Sequence, residues 1–480
     1  MNIADMLSIL KENTFEFLDD ILQMMLGKDH RLKAGFSKAS KILKRTHEGF
    51  CLDGKRNITK HQSCANVLTV APSGKGKTQV SVFPFLLNQK GDYSIICNDP
   101  SGEISAVQPY LESVGIQTAI LDFGKKTGVY FNPLSECKGN ITQMRKVAKA
   151  LMNANTTEKD FFTISAEDVL VLFIQYVMES ESKIYQNIAN IYRLILEYQG
   201  SPEVVEKLLA TKASDGVWKK FKSLAGTSDN TRKSIIASCL SAISFIGDNP
   251  TLCDITSVST INFQDFRETP HTLFIHVPVG DVAFYAPILN LFFQEFYRFA
   301  FAELPKKKDL EIFMVLDEFD ILGAIQDYST IISNSRKAKI PQQIIIQSES
   351  QLEKYGKKAQ NIKNNCNIKC YYGGLGQEAF ELEKVLGKFE YEDKKRKQLR
   401  QRSLLTASEI RELKDEIIII PSGEKPLKVK VKPAYLQPKL MKKLALEIPE
   451  DEQLIPPLEY TTQYIDLSPY SNNNQDESSS

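Results

Sequence analysis

The sequence predicts an α/β fold with a mostly parallel central sheet. Short apolar runs bounded by turn residues recur along the chain, SIICND (94–99) and TAILDF (118–123) among them. They lack polar alternation, as expected of strands covered on both faces. The runs alternate with helical stretches, the pattern of βαβ units. The strand NVLTVA (66–71) is followed at once by a glycine-containing loop and the helical stretch TQVSVFPFLL.

In chain order, 1–50 reads helical. Its stretch Phe15–Leu26 is amphipathic, with Asp19 and Asp20 inside it, and suits a docking helix. Lys28 to Lys44 is basic, a solvated helix face. GFCLDG (49–54) reads as a short strand and turn. From Met144 to Lys222 the strand signal gives way to helical periodicity. Ser201-Pro202 marks a helix start there, with proline at the first helical position. Strands resume at HTLFIHVP (271–278), EIFMVLDE (311–318), PQQIIIQS (341–348) and IKCYYGG (368–374). EIIIIPSG and PLKVKVKPAY form a closing hairpin. The end, SPYSNNNQDESSS, is low-complexity and reads as disordered. The expected organisation is a helical segment over 1–48, an α/β domain over 49–143 and 223–438, an all-helical insertion over 144–222, and a largely disordered tail over 439–480.

Composition bounds the function. The chain has 480 residues, 42% hydrophobic and 25% charged, the balance of an ordinary globular protein. Its formal net charge of +1 gives no overall basic field, so any nucleic-acid surface must be a local patch. The eight cysteines form no CxxC pair, and Cys366 and Cys370 have no histidine or second pair beside them. No zinc is expected, and the thiols read as buried in a reducing cytoplasm. The opening carries acids where a cleavable signal carries bases. No apolar run reaches the ~18–20 residues of a membrane helix.

APSGKGKT (71–78) lies between a strand and a helix, the context of a phosphate-binding P-loop. Ala71 stands where the motif has glycine, at a position that needs a small residue more than a positive φ. Pro72, Ser73 and Lys75 complete the loop, and Gln79 follows it. Gly74 and Gly76 let backbone N–H groups turn toward phosphates. Lys77 places charge on the β- and γ-phosphates of ATP, and Thr78 offers a hydroxyl to Mg²⁺. The helix behind adds its positive end.

Hydrolysis also needs an acid to orient the metal and a group to activate water. IFMVLDEFD (312–320) brings Asp317 and Glu318 to the C-terminal end of a strand, where open α/β sheets hold ligands. Asp317 orients Mg²⁺ through a water, and Glu318 serves as general base. Gln347 ends another buried strand, where an amide senses the γ-phosphate.

At these residues the chain resembles the TraG/TraD-like coupling proteins of type IV secretion systems. GFCLDG, NDPSGEI (98–104), FNPLSE (131–136), TRKSIIASCLSAISFIGDNP (231–250), LDEFDILG (316–323), ISNSRKAKIPQQIIIQSESQLEKYG (332–356) and RSLLTASEIREL (402–413) match family segments. The resemblance spans about 49–435. It implies a RecA-like P-loop motor with an all-helical insertion, assembled as a homo-hexamer at the cytoplasmic mouth of a secretion channel. It also implies that Arg336 reaches a neighbour's nucleotide. Asp99 and Glu103 point toward the same site. Ser101 replaces a family lysine. Family members usually begin with two membrane helices, absent here, so the expectation is a cytoplasmic protein that either is held peripherally at the membrane by a partner subunit or belongs to a soluble branch of the family.

The implied activity is ATP-driven recruitment of a DNA–relaxase or protein substrate for type IV secretion. The alternatives are a nucleotide-switched docking adaptor with little turnover and a related hexameric DNA translocase. Lys306, Lys307, Lys308 and KKRKQLRQR (394–402) read either as solvated loops or as phosphate contacts.

Overall fold

The computed structural model describes residues 34–153, 160–393, 398–447 and 459–471. Its strands are β1 (Val67–Val70), β2 (Ser94–Asn98), β3 (Gln117–Asp122), β4 (His271–His276), β5 (Ile312–Leu316), β6 (Gln342–Ile346), β7 (Ile368–Tyr371), β8 (Lys388–Asp393), β9 (Gln398–Ser403), β10 (Glu416–Pro421) and β11 (Leu427–Lys430). The main sheet has nine strands in the order β11-β10-β7-β1-β6-β5-β2-β4-β3. From β7 to β3 all neighbours are parallel. The β10–β11 hairpin closes the sheet antiparallel to β7.

Alternate strand residues enter two cores. Leu68, Val70, Ile96, Met314, Leu316, Ile344 and Ile346 enter one. Val67, Ile95, Cys97, Phe313, Val315 and Ile345 enter the other. Both faces are covered, which is why these strands are continuously apolar in sequence. In the second core the Phe50 ring lies 5.1 Å from Phe85 and 5.0 Å from Phe313. Delivering Phe50 is the packing role of GFCLDG. That segment forms only an isolated bridge, Cys51 to Asn57, rather than a strand. The fully buried Asp53 accepts from the Lys55 and Arg56 N–H groups at 2.9 and 2.7 Å.

Between β3 and β4, helices run from Ile141 to Ile255. The Asp229–Gly247 helix packs on the Phe161–Ser180 and Ile188–Gly200 helices. Ile235, Ile236, Cys239, Ala242, Ile243 and Ile246 form its buried stripe. The helical layer therefore continues past 222, and the returning helix is part of the bundle. Pro202 opens its helix as the sequence predicts. By length and composition the Phe161–Ser180 helix could cross a membrane, contrary to the sequence reading. Half of its apolar window is buried within the protein, where a bundle core demands the same side chains.

Three segments depart from expectation. Residues 398–402 of the basic run lie in β9, which pairs with β8. Residues 34–48 are not helical beyond the turn Ala39–Lys41. They are irregular instead, with turns and bends, Ser37 N–H bonded to Pro426 O at 2.8 Å and Lys44 bridged to Asn57. Phe15–Leu26 lies outside the described residues. The tail is structured in part. Pro438–Leu444 is a helix. Over 459–471, Tyr460 N–H donates to Tyr130 Oη at 3.0 Å and Ile465 N–H to Asn190 Oδ1 at 2.9 Å. Ile465 and Leu467 are buried by these contacts.

Gly54 has φ +84°, and a Cβ there would sit 1.9 Å from Lys432 O. Gly423 has φ +75° with nothing within 4 Å of the same position. Gly423→Ala should cost about 1 kcal/mol from left-handed strain alone, and Gly54→Ala at least ~2 kcal/mol more because the backbone must shift. Chemical denaturation measures both, and equal losses would contradict the clash.

Candidate active site

The loop after β1 turns at Gly74 and Gly76, both at φ +74° with open space where a Cβ would stand. Glycine is present for its backbone conformation rather than for room. Ala71 is fully buried, is not left-handed, and donates its N–H to Ile346 O at 2.9 Å. The motif thus starts pinned to β6. Ser73, Gly74 and Lys75 are exposed. Lys77 and Thr78 enter a helical segment whose first turns, Thr78–Val82, have π spacing before α-helix over Phe83–Leu86.

β6 separates β1 from β5 in the sheet. The ends of β1 and β5 therefore converge on one edge. Lys77 Nζ lies 3.3 Å from Asp317 Oδ1 and 3.8 Å from Glu318 Oε1. It makes no aligned hydrogen bond among the described residues. Gln79 Oε1 is also buried without a partner there. Burial pushes the Asp317 carboxyl above its usual range, and the Lys77 charge pulls it partly back. The Glu318 side chain is 42% exposed, against 10% for Asp317. Its backbone is left-handed, φ 48° and ψ 54°, a strained conformation of the kind that gathers at functional sites. The two adjacent acids thus occupy different environments. One is sheltered beside an ammonium, and the other is open to water.

Gln347 is exposed at the end of β6, and its N–H donates to Gln351 Oε1 at 2.8 Å. It shares a cleft with Pro72 of the loop. Arg336 lies elsewhere. It precedes β6, at the opposite strand ends from Lys77, and its guanidinium contacts His61 Nε2 at 2.8 Å. The chain does not bring Arg336 to its own phosphate loop. Asp99 does not point into the site as the sequence reading held. Its oxygens accept from the Ile104 and Ser105 N–H groups at 3.1 and 2.8 Å and face His276 Nε2 at 3.2 Å. A buried carboxylate at a tight turn is spent on orphan amides.

Two site residues escaped the sequence reading. Asn98 Nδ2 donates to Asp317 O at 2.5 Å, fixing the end of β5 from β2. Gln343 Nε2 donates to Ser81 Oγ at 2.7 Å, tying β6 to the helix behind the loop. Both are amides in otherwise apolar strands, which was the available signal. The assembled donors suit a phosphate chain with its divalent cation: left-handed glycines, a buried ammonium without an aligned hydrogen bond, a helix-start hydroxyl, and a sheltered acid opposite.

A family model for type IV secretory system conjugative DNA transfer matches residues 23–453. Protein VirD4 of Rhizobium radiobacter is 26% identical over 410 residues, covering 78% of this chain and 58% of that protein. VirD4 of Agrobacterium fabrum is 26% identical over 411 residues, covering 78% and 59%. The chain therefore spans somewhat under three fifths of these relatives' length. Among solved structures, the bacterial conjugative coupling protein TrwB with sulphate aligns at TM-score 0.64 and 14% identity, covering 86% of this chain and 97% of that one. TrwB with ADP and Mg²⁺ aligns at TM-score 0.64 and 15% identity, with the same coverage. At such identity the likeness establishes the fold alone, a mostly parallel α/β sheet with helices on both faces.

The Lys77–Asp317 pair sets a pH dependence. A raised folded-state pKa gives stability that is present at low pH and lost as pH rises through it. Lys77→Met removes the charge that holds Asp317 down, so the pKa climbs further. The variant's deficit relative to wild type should be smallest at pH 3, below the ordinary aspartate value, and larger at pH 7 by on the order of 1–3 kcal/mol. Denaturant melts at both pH values check this, and an equal deficit at each would contradict it.

Proposed function

Because the chain belongs to the type IV secretory system conjugative DNA transfer family, we propose that it is an ATP-hydrolysing coupling protein. In this reading it recruits a DNA–relaxase or protein substrate and drives its transfer through a type IV secretion channel. The observation that carries the proposal is the approach of Lys77 Nζ to both Asp317 and Glu318 across β6.

Ala71 to Gln79 cradle the triphosphate. The N–H groups around Gly74 and Gly76 face its oxygens, and Lys77 exchanges its contact with Asp317 for the β- and γ-phosphates. Thr78 and Asp317 would hold Mg²⁺, which when bound neutralises charge developing on the phosphates. Glu318 accepts a proton from the attacking water at its carboxylate. Its exposure to water supports that role. Gln347, at the end of the strand between the two motifs, senses the terminal phosphate.

Arg336 acts on a neighbour's nucleotide in a homo-hexameric ring, because its own chain holds it at the far strand ends. An arginine supplied from outside neutralises transition-state charge. Lys306, Lys307 and Lys308 are exposed ahead of β5 and, with the hairpin strand at 398–402, are the basic segments available to DNA phosphates. The protein acts at the inner face of the cell membrane, joined there through a partner subunit.

ATP hydrolysis with and without DNA tests the proposal. Lys77→Ala should abolish nucleotide binding. Glu318→Gln should bind ATP normally and turn over about 10²–10⁴-fold more slowly; wild-type turnover would remove the base assignment. In mixed assemblies, Arg336→Ala subunits should depress activity more than in proportion to their number. A linear titration would contradict action between subunits.

A further inference from the structure

The turn that carries Glu318 is held by the segment that follows Gln347. Lys354 Nζ donates to Asp320 O at 2.6 Å and lies 3.2 Å from Asp320 Oδ1. The Lys354 side chain is 22% exposed. Its ammonium stands 5.5 Å from the centre of the Phe319 ring and 5.8 Å from that of Tyr355. Those two rings stack, their centroids 6.0 Å apart. Tyr355 Oη in turn accepts from Ile325 N–H at 3.2 Å, beyond the turn. Gln351 joins the two elements from its middle. Its Nε2 donates to Asp320 Oδ2 at 3.4 Å, and its Oε1 accepts the Gln347 N–H at 2.8 Å.

From this geometry we infer that Gln351 and Lys354 are positioning residues that couple Gln347 to Glu318 through Asp320. The inference rests on the proposed roles of Glu318 as base and Gln347 as phosphate sensor. Neither Gln351 nor Lys354 touches the reacting atoms. Glu318 needs the support because its backbone is left-handed and its side chain is open to water. A left-handed non-glycine residue costs about 1–2 kcal/mol and persists only where neighbours impose it. Ile321 N–H bonds Glu318 O at 3.0 Å, and Lys354 bonds the Asp320 carbonyl, which also accepts from Gly323 N–H at 3.3 Å. A cation held between a carbonyl, a carboxylate and two ring faces has few alternative positions. A displacement of Gln347 when the terminal phosphate leaves is therefore passed through one glutamine side chain to the turn that aims the base.

The test is steady-state ATP hydrolysis by the full chain with DNA, beside binding of a non-hydrolysable ATP analogue and thermal melting. Lys354→Met keeps the aliphatic stem over the rings and removes the charge. Its kcat should fall about 10–100-fold, since small misplacement of a catalytic group costs this much. Analogue affinity and melting temperature should stay near wild type. Lys354→Arg should restore most of the rate, because a guanidinium still reaches a carbonyl and a carboxylate and stacks on the same rings. Gln351→Ala should show the same split between rate and affinity, and it serves where Lys354→Met does not fold. If both variants turn over at the wild-type rate while Glu318→Gln is inactive, the coupling is wrong and the proposed function stands. A loss of affinity matching the loss of rate would assign the segment to binding and overturn the coupling. If Glu318→Gln itself turns over normally, the base assignment fails and the coupling fails with it.

Discussion

The whole site depends on the register of three parallel strands. Val70 pairs with Ile346, and Leu316 pairs with Ile344. With β6 between them, β1 and β5 end together on one edge, two strand spacings or roughly 9–10 Å apart. The glycine loop rises from β1 and doubles back, so a lysine side chain bridges that gap to Asp317. A shorter side chain, or a different strand inserted between β1 and β5, would leave the ammonium and the acids unable to meet. Side-chain facing has period two, so a slip of one residue would exchange the β6 side chains that enter the two cores. The two cores thus fix the site's geometry as firmly as any contact within it.

The site gives up local stability to hold this arrangement. Asp317 is a buried acid whose carboxyl is pushed up by desolvation. Lys77 Nζ, Gln79 Oε1 and Asn98 Oδ1 are buried without aligned partners among the described residues. Glu318 sits in a left-handed backbone. Buried unsatisfied polar atoms are scarce in folded proteins, and those beside the phosphate loop mark a place shaped for something other than stability. The surrounding sheet tolerates it because both its faces are packed. Phe313 alone lies between Phe50, Phe85 and Tyr93, at ring distances of 5.0, 5.5 and 4.3 Å.

Much of this was legible in the sequence because its causes are local. The parallel strands are apolar runs, the loop glycines need positive φ, and Pro202 can only begin a helix. The misses share the opposite character. β8 and β9 pair in a two-stranded hairpin of largely charged residues, KFEYED with QLRQRS, so no apolar pattern announced them. The segment at 459–471 is ordered by bonds to Asn190 and Tyr130, far away in the chain. Residues 34–48 contain helix formers, yet bonds to distant backbone, Ser37 to Pro426 and Lys44 to Asn57, hold them in an irregular path. Asp99 was misjudged for a related reason. Its position after β2 was right, but its oxygens accept from two amides of the following turn and face His276.

The two edges of the sheet divide the chemistry. Lys77, Asp317, Glu318 and Gln347 stand at the C-terminal strand ends, while Arg336, His61 and the lysines ahead of β5 stand at the N-terminal ends. β6 alone, five residues long, separates Arg336 from Gln347 by at least ~16 Å. No side-chain rotation closes such a gap within one chain. If Arg336 is to meet a triphosphate, one copy must present its N-terminal strand edge to the C-terminal edge of the next. That contact joins two different surfaces, so it is heterologous, and its repetition gives a ring where the rotation closes and an open filament where it does not. A two-fold dimer joins like to like and would pair arginine edge with arginine edge. The arginine reading therefore requires a head-to-tail contact between copies, and it falls if copies meet only like to like.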